Sequence, residues 1–244
     1  LKVLLKNAED ELGINIMYIV FNENKEIDRI HLSQIKKFLS KLKYNSALVI
    51  LEGIGGYSNS GKSLALELRL KFKKYFFVAI PNFAKSAMVF PIFPATTIFM
   101  DSESIISPVE PFIKNKKSPY IIPQSTLDLM KHQNKSVRKR AKKHWKDQAE
   151  DVLGLLELPG SIVHKYEGIG IEQLEKIIKL FLCSPHEKKI TKKEIQEVGF
   201  YCFNVEGKEY WKNIQKFTIL LKKEIIMKKQ VSFVMGDINS YEEC

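Results

Sequence analysis

The chain has 244 residues, 45% of them hydrophobic, and a formal net charge of +11, enough for one large domain or two small ones with a real core. No window approaches the ~18 unbroken apolar residues of a membrane-spanning helix, and residues 1–6 turn charged too soon for a signal peptide, so neither a span nor a secretory leader is expected. Cys183, Cys202 and Cys244 show neither metal-ligand spacing nor a disulfide framework, which fits a soluble cytoplasmic protein with no metal and no cofactor.

Residues 14–21 are β-rich and read as a strand, followed by a turn at residues 22–25. Residues 30–42 carry Leu32, Ile35, Phe38, Leu39 and Leu42 at helical spacing. Residues 46–51 read as a buried strand, residues 53–61 as a glycine-rich turn and residues 63–74 as a helix. A strand at 75–80, a short helix opening at Ser86 and a strand at 97–101 complete the run. Strands alternating with helices predict an α/β fold with mostly parallel pairing. Beyond Asp101 the pattern weakens. Pro108, Pro111, Pro119 and Pro123 mark a loop-rich crossing, and residues 125–156 and 171–181 read as helices. Thr191 and Glu194 form a capping-box pattern for a helix that ends at Gly199. Residues 200–203 and 231–235 are β-prone. With no repeat and no clear linker, the simplest reading is one domain over residues 1–244, its core at about 14–112 and a helical C-terminal part at about 125–244.

Much of the positive charge lies in residues 131–146. Lysine and isoleucine are frequent throughout the chain, which favours reading this run as a solvated helix face; a patch for an acidic partner such as nucleic acid or an anionic membrane is the alternative.

Two motifs compete for the glycine turn. Gly56 to Ser63 fits G-x-x-x-x-G-K-[ST] between a strand and a helix, which would place Lys62 on a γ-phosphate and Ser63 on magnesium. The strand ending in Asp101 would supply the acid of such a nucleotide site. Against this, the preceding strand ends near Leu51, and Glu52 brings negative charge to the same place. The other pattern makes Gly55-Gly56 a donor turn for a developing oxyanion. The next strand-to-helix junction then presents Ser86, with the Ala87 amide as the second donor. Ser86 itself is either a cap at a packed helix start or a nucleophile held there.

The segments Glu52-Gly53-Ile54-Gly55-Gly56, Ile80-Pro81-Asn82-Phe83-Ala84-Lys85-Ser86-Ala87-Met88, Ala95-Thr96-Thr97-Ile98-Phe99-Met100 and Ile106-Ser107-Pro108-Val109-Glu110-Pro111 together resemble the serine dehydrogenase proteinase family. That family belongs to the wider group of Clp-type and signal-peptide-peptidase-A-type serine peptidases with the crotonase-like fold. The likeness covers residues 14–112 and extends faintly to about 204, through Pro185-His186-Glu187-Lys188-Lys189-Ile190-Thr191. It implies a Clp/crotonase-like α/β fold of ββα-type units and a peptidase-like hydrolase acting on peptide or protein substrates. It also implies Ser86 as nucleophile, Gly56 and Ala87 as oxyanion-hole donors, and a homo-oligomer. Relatives take the nucleophile's proton with a histidine or with a buried lysine, which makes His186, Lys131 and His132 the candidate bases. Lys85 is expected to point elsewhere, and Asp101 and Glu110 to be strand-end or loop carboxylates. Met88 stands two residues after the nucleophile where the family has glycine, which is expected to narrow the site. Ile54 replaces the proline before the double glycine, and Ser107 replaces the glycine before Pro108. The alternatives to a peptidase are a phosphate-loop protein using Gly56–Ser63 and a catalytically inactive crotonase-fold scaffold.

Overall fold

The computed structural model describes residues 14–21, 26–109, 112–114, 123–159, 161, 170–223, 233–237 and 241–243. The expected turn at 22–25, Glu110, Cys244 and residues 1–6 lie outside them.

Five strands run parallel: β1 (Asn15–Phe21), β2 (Ser46–Glu52), β3 (Tyr75–Ala79), β5 (Thr97–Met100) and β9 (Cys202–Asn204). β10 (Phe233–Asp237) lies antiparallel to β1, and β11 (Tyr241–Glu243) extends that edge, giving the order β11-β10-β1-β2-β3-β5-β9. β1 is buried along its whole length, as a strand covered on both faces must be. Its odd-numbered residues Met17, Ile19 and Phe21 join Val49, Leu51, Phe76, Val78 and Met100 in the larger core cluster. Its even-numbered residues Ile16, Tyr18 and Val20 face the opposite layer with Ile50 and Ala79.

The larger core is closed by α1 (Arg29–Lys41), α2 (Ser58–Lys71), α4 (Lys135–Leu156) and α5 (Ile171–Leu182). α3 (Thr126–Met130) precedes α4, and the strands β7 (Phe112–Lys114) and β8 (Pro123–Ser125) pair with each other. The expected helix at 63–74 begins earlier, at Ser58, with Tyr57 as its N-cap. The capping box of Thr191 and Glu194 opens α6 (Lys192–Glu197), with Thr191 N–H donating to Glu194 Oε2 over 2.9 Å. The C-terminal part is not only helical: β9, β10 and β11 enter the main sheet at both edges. The second face is covered by α7 (Glu209–Leu221), a helix not read from the sequence, through Trp211, Ile214 and Leu221.

Asp101, at the end of β5, fastens α7 in place. Trp211 Nε1 donates to its Oδ2 over 2.7 Å and Gln215 Nε2 over 3.0 Å, while the Ser104 hydroxyl and amide donate to Oδ1, each over 2.9 Å. Burial works against the charged carboxylate, but the hydrogen bonds from Ser104, Trp211 and the backbone amides of Ser104 and Glu103 outweigh it and hold the group below its ordinary range. A carboxyl depressed in the folded state stabilises fully above the unfolded value of ~4 and loses that contribution as the pH falls through the folded value. Asp101→Asn is therefore expected to cost about 1–2 kcal/mol at pH 7, the difference between charged and neutral hydrogen bonds. Its gap to the parent should close in acid. Denaturant unfolding followed by tryptophan fluorescence checks this, and equal stability at pH 7 would contradict it.

Candidate functional site

The parallel strands deliver their C-terminal ends to one edge of the sheet, where a smaller layer forms. Strand β4 (Phe83–Ala84) pairs with β6 (Ile105–Ile106), Gly53 bridges to Ala84, and Ile190 bridges to Ile106. Ser86 follows β4 after one residue, Lys85. Ser86 has φ +49°, the only positive φ at a non-glycine residue among the described residues. A side chain in that region is strained and persists only where its surroundings fix it. Here they do. Lys85 N–H donates to Gly53 O over 3.0 Å, Met88 N–H to Lys85 O over 3.0 Å, and Ser86 N–H to Ser107 Oγ over 2.9 Å. Ser107 N–H in turn donates to Ala84 O over 3.1 Å. Ser107, at a position read only as a departure from the family pattern, is thus the clasp of the elbow. No sequence signal marks that role.

The expected short helix at Ser86 is a 3-10 turn, Ser86–Ile92, interrupted by Pro91. Its first N–H groups have no partner inside the turn, as at any helix start. Ser86 does not cap it: the residue in the capping position is Lys85, and no side chain closes the turn.

Gly55 and Gly56 adopt φ +100° and +144°. A Cβ on Gly55 would sit 2.6 Å from Ser86 Cβ and 2.8 Å from Ala87 N, so the two junctions meet with only backbone between them. A Cβ on Gly56 would lie 2.6 Å from Ile27 N on the opposite side. The bridge between Ile27 and this turn uses the Gly55 carbonyl, at 2.8 Å, and the Tyr57 amide, at 3.3 Å. The Gly56 amide takes no part in it. Behind the turn, α2 presses on the elbow through Gly61, where any Cβ would overlap the Ala87 carbonyl oxygen. Met88 is fully buried, and a Cβ on Gly53 would come 3.1 Å from its Cγ. Met88 therefore fills the core beneath the turn instead of narrowing the mouth, because its side chain points inward.

The candidate bases lie on two different loops. His186 is half-buried in the turn closed by Lys188 N–H donating to Pro185 O over 2.9 Å, four residues before the Ile190 bridge. Burial pushes its imidazole below the ordinary range; Glu187 opposes this and Lys85 adds to it. Lys131 and His132 are exposed between α3 and α4, and His132 Nδ1 accepts from Asn134 N–H over 3.0 Å. Lys85 is exposed, with its Nζ 5.4 Å from the centre of the Phe83 ring. No side chain among the described residues hydrogen-bonds Ser86 Oγ. Cys202 offers no rival nucleophile. Burial, opposed by Lys192, pushes its thiol up to about 12.

The phosphate-loop reading of Gly56–Ser63 does not fit. Residues 58–63 are already helical, and the amides of Ser60 and Gly61 donate to Tyr57 O over 2.9 and 3.0 Å, so they are not free to cradle phosphate. Lys62 pairs with Asp151 of α4, and the Asp101 carboxylate is engaged by Trp211, Gln215 and Ser104.

No family model matches the chain, and no curated protein matches it. Among solved structures it is similar to a membrane-bound stomatin-specific protease, 1510-N, in a serine-to-alanine mutant form. The two share 12% identity over 81% of this chain and 83% of that one, with a TM-score of 0.52. The fold is Clp protease/crotonase-like. An enoyl-CoA hydratase/isomerase from Acinetobacter baumannii also aligns, at 13% identity over 88% of this chain and 84% of that one, with a TM-score of 0.43. In this Clp/crotonase-like chain no helix among the described residues is long and apolar enough to cross a membrane.

Proposed function

We propose that the protein is a serine hydrolase, specifically a peptidase of the serine dehydrogenase proteinase type, working as a cytoplasmic homo-oligomer on peptide or protein substrates. The observation that carries this is the strained Ser86 elbow, φ +49°, packed against the Gly55-Gly56 turn. Ser86 Oγ attacks the scissile carbonyl carbon and gives its proton to a base. The amides of Gly56 and Ala87 donate to the oxyanion, the base returns the proton to the departing amine, and water then hydrolyses the acyl-enzyme. His186 suits the base because its lowered pKa leaves it neutral at pH 7, and Lys131 is the alternative.

A fluorophosphonate probe should label the parent, and Ser86→Ala should abolish labelling. Labelling that survives the substitution removes the assignment. With His186 as base, the rate falls only as the pH drops through a value below the ~6.5 of an ordinary histidine, and His186→Ala removes that limb. The alternative is a catalytically inactive crotonase-fold scaffold. It predicts a folded parent that the probe never labels.

A further inference from the structure

The first half of α4 is a cationic edge that the hydrolase reading leaves unused. Lys135, Lys139, Arg140, Lys142, Lys143 and Lys146 are all exposed, while Ala141, Gln148, Ala149 and Val152 face the protein. No acidic residue occurs between Lys135 and Lys146. Arg138 turns back instead, donating to the carbonyls of His132 and Gln133 over 2.8 and 2.7 Å. Among the described residues the edge cations make one ion pair, Lys146 with Glu150 at 3.5 Å, and its partners are 74% and 62% exposed. An edge built only for solubility would mix signs. This one sets like charges three and four residues apart and puts lysine in the first turn with no acid there, and both arrangements destabilise a helix. A polyanion laid along the edge removes both penalties.

The shape of the edge selects the kind of polyanion. The six cations lie within twelve residues, Lys135 to Lys146, about 17 Å of helix axis. An anionic membrane held without insertion needs a second, apolar signal, but the apolar side of α4 is docked on α2 and the core, with Trp145 packed against it. A nucleic-acid strand repeats its phosphates linearly, which a row of lysines one turn apart can follow. The edge presents no exposed aromatic ring on which a base could stack, so contact is with backbone alone. We propose that this edge of α4 binds nucleic-acid backbone without sequence preference.

The test is fluorescence anisotropy with a labelled 20-base-pair duplex of arbitrary sequence over a salt series. Binding should be micromolar to tens of micromolar at low salt, with a slope of log K against log salt of roughly −4.5 to −5.5 for five or six phosphates engaged. Lys139→Glu, Lys142→Glu and Lys143→Glu together should weaken binding at least tenfold and flatten the slope by about 3. The same triple variant should melt no lower than the parent, since it relieves repulsion within the helix. A control with the same change in net charge, Lys37→Glu and Lys41→Glu on α1 with Lys43→Glu just beyond its end, should bind as the parent does. Absence of duplex binding, equal binding by the α4 variant, or an equal loss in the control overturns the proposal. So does binding to phosphatidylserine vesicles in place of the duplex. None of these readouts depends on Ser86 reactivity.

Discussion

Gly55→Ala should destabilise the fold by about 3–4 kcal/mol and silence Ser86 together. The first contribution is conformational: φ +100° is costly for any residue with a Cβ, on the order of 1–3 kcal/mol. The second is steric. The new methyl would lie 2.6 Å from both the Lys85 carbonyl oxygen and Ser86 Cβ, and 2.8 Å from the Ala87 amide. These are backbone atoms and the root of a side chain, so no flexible tip can swing aside. The elbow is also clamped from behind, by Gly53 O on Lys85 N–H and by Ser107 Oγ on Ser86 N–H, so relief must break one of those bonds. Denaturant unfolding reads the stability, and fluorophosphonate labelling of the folded fraction reads the site. A Gly55→Ala variant as stable and as reactive as the parent would show that the two junctions are not mechanically joined.

The parallel core was legible because its strands are continuous apolar runs separated by helical periods, and burial on both faces demands that pattern. The Ser86 elbow was legible as a spacing between two junctions, since glycines that need positive φ and a serine between apolar segments leave traces in one dimension. The clasp was not. Ser107 reaches Ser86 N–H across 21 positions, through a register between β4 and β6 that only the folded layer defines. The phosphate-loop pattern misled for a related reason. Gly61 is there because α2 lies against the Ala87 carbonyl, a packing requirement that produces the same letters as a phosphate cradle. α7 was not read because its buried stripe is short, Trp211, Ile214, Thr218 and Leu221, and part of its anchoring is polar, Trp211 and Gln215 on Asp101 and Thr218 on Asn82, which only the folded chain brings together. The place of His186 was the least legible, since it depends on where the loop before Ile190 is carried by its bridge to Ile106.

Lys222→Met is expected to cost about 3–5 kcal/mol, the toll of leaving a buried charge without its partner. Glu52, at the end of β2, has no exposed surface. Lys222 Nζ lies 2.7 Å from its Oε1, and Asn82 Nδ2 donates to its Oε2 over 2.7 Å. Asn82 also donates to Thr218 Oγ1 over 2.9 Å, and the Lys222 ammonium sits 4.7 Å from the centre of the Phe83 ring. One network therefore joins the end of β2, the segment leading into the elbow and the end of α7. Removing Lys222 leaves the carboxylate with Asn82 but without its cation. Glu52→Gln should cost less, because the Lys222 side chain is 16% exposed and can turn its ammonium toward water. The double variant Glu52→Gln with Lys222→Met carries no buried charge, and it should recover most of the loss seen in Lys222→Met alone. Unfolding of the four proteins gives the coupling. Additive effects would show that Glu52 and Lys222 stabilise the fold independently. Strong coupling, with slower probe labelling in Lys222→Met, would tie the pair to the elbow, since Gly53, whose carbonyl holds the Lys85 amide, follows Glu52 directly.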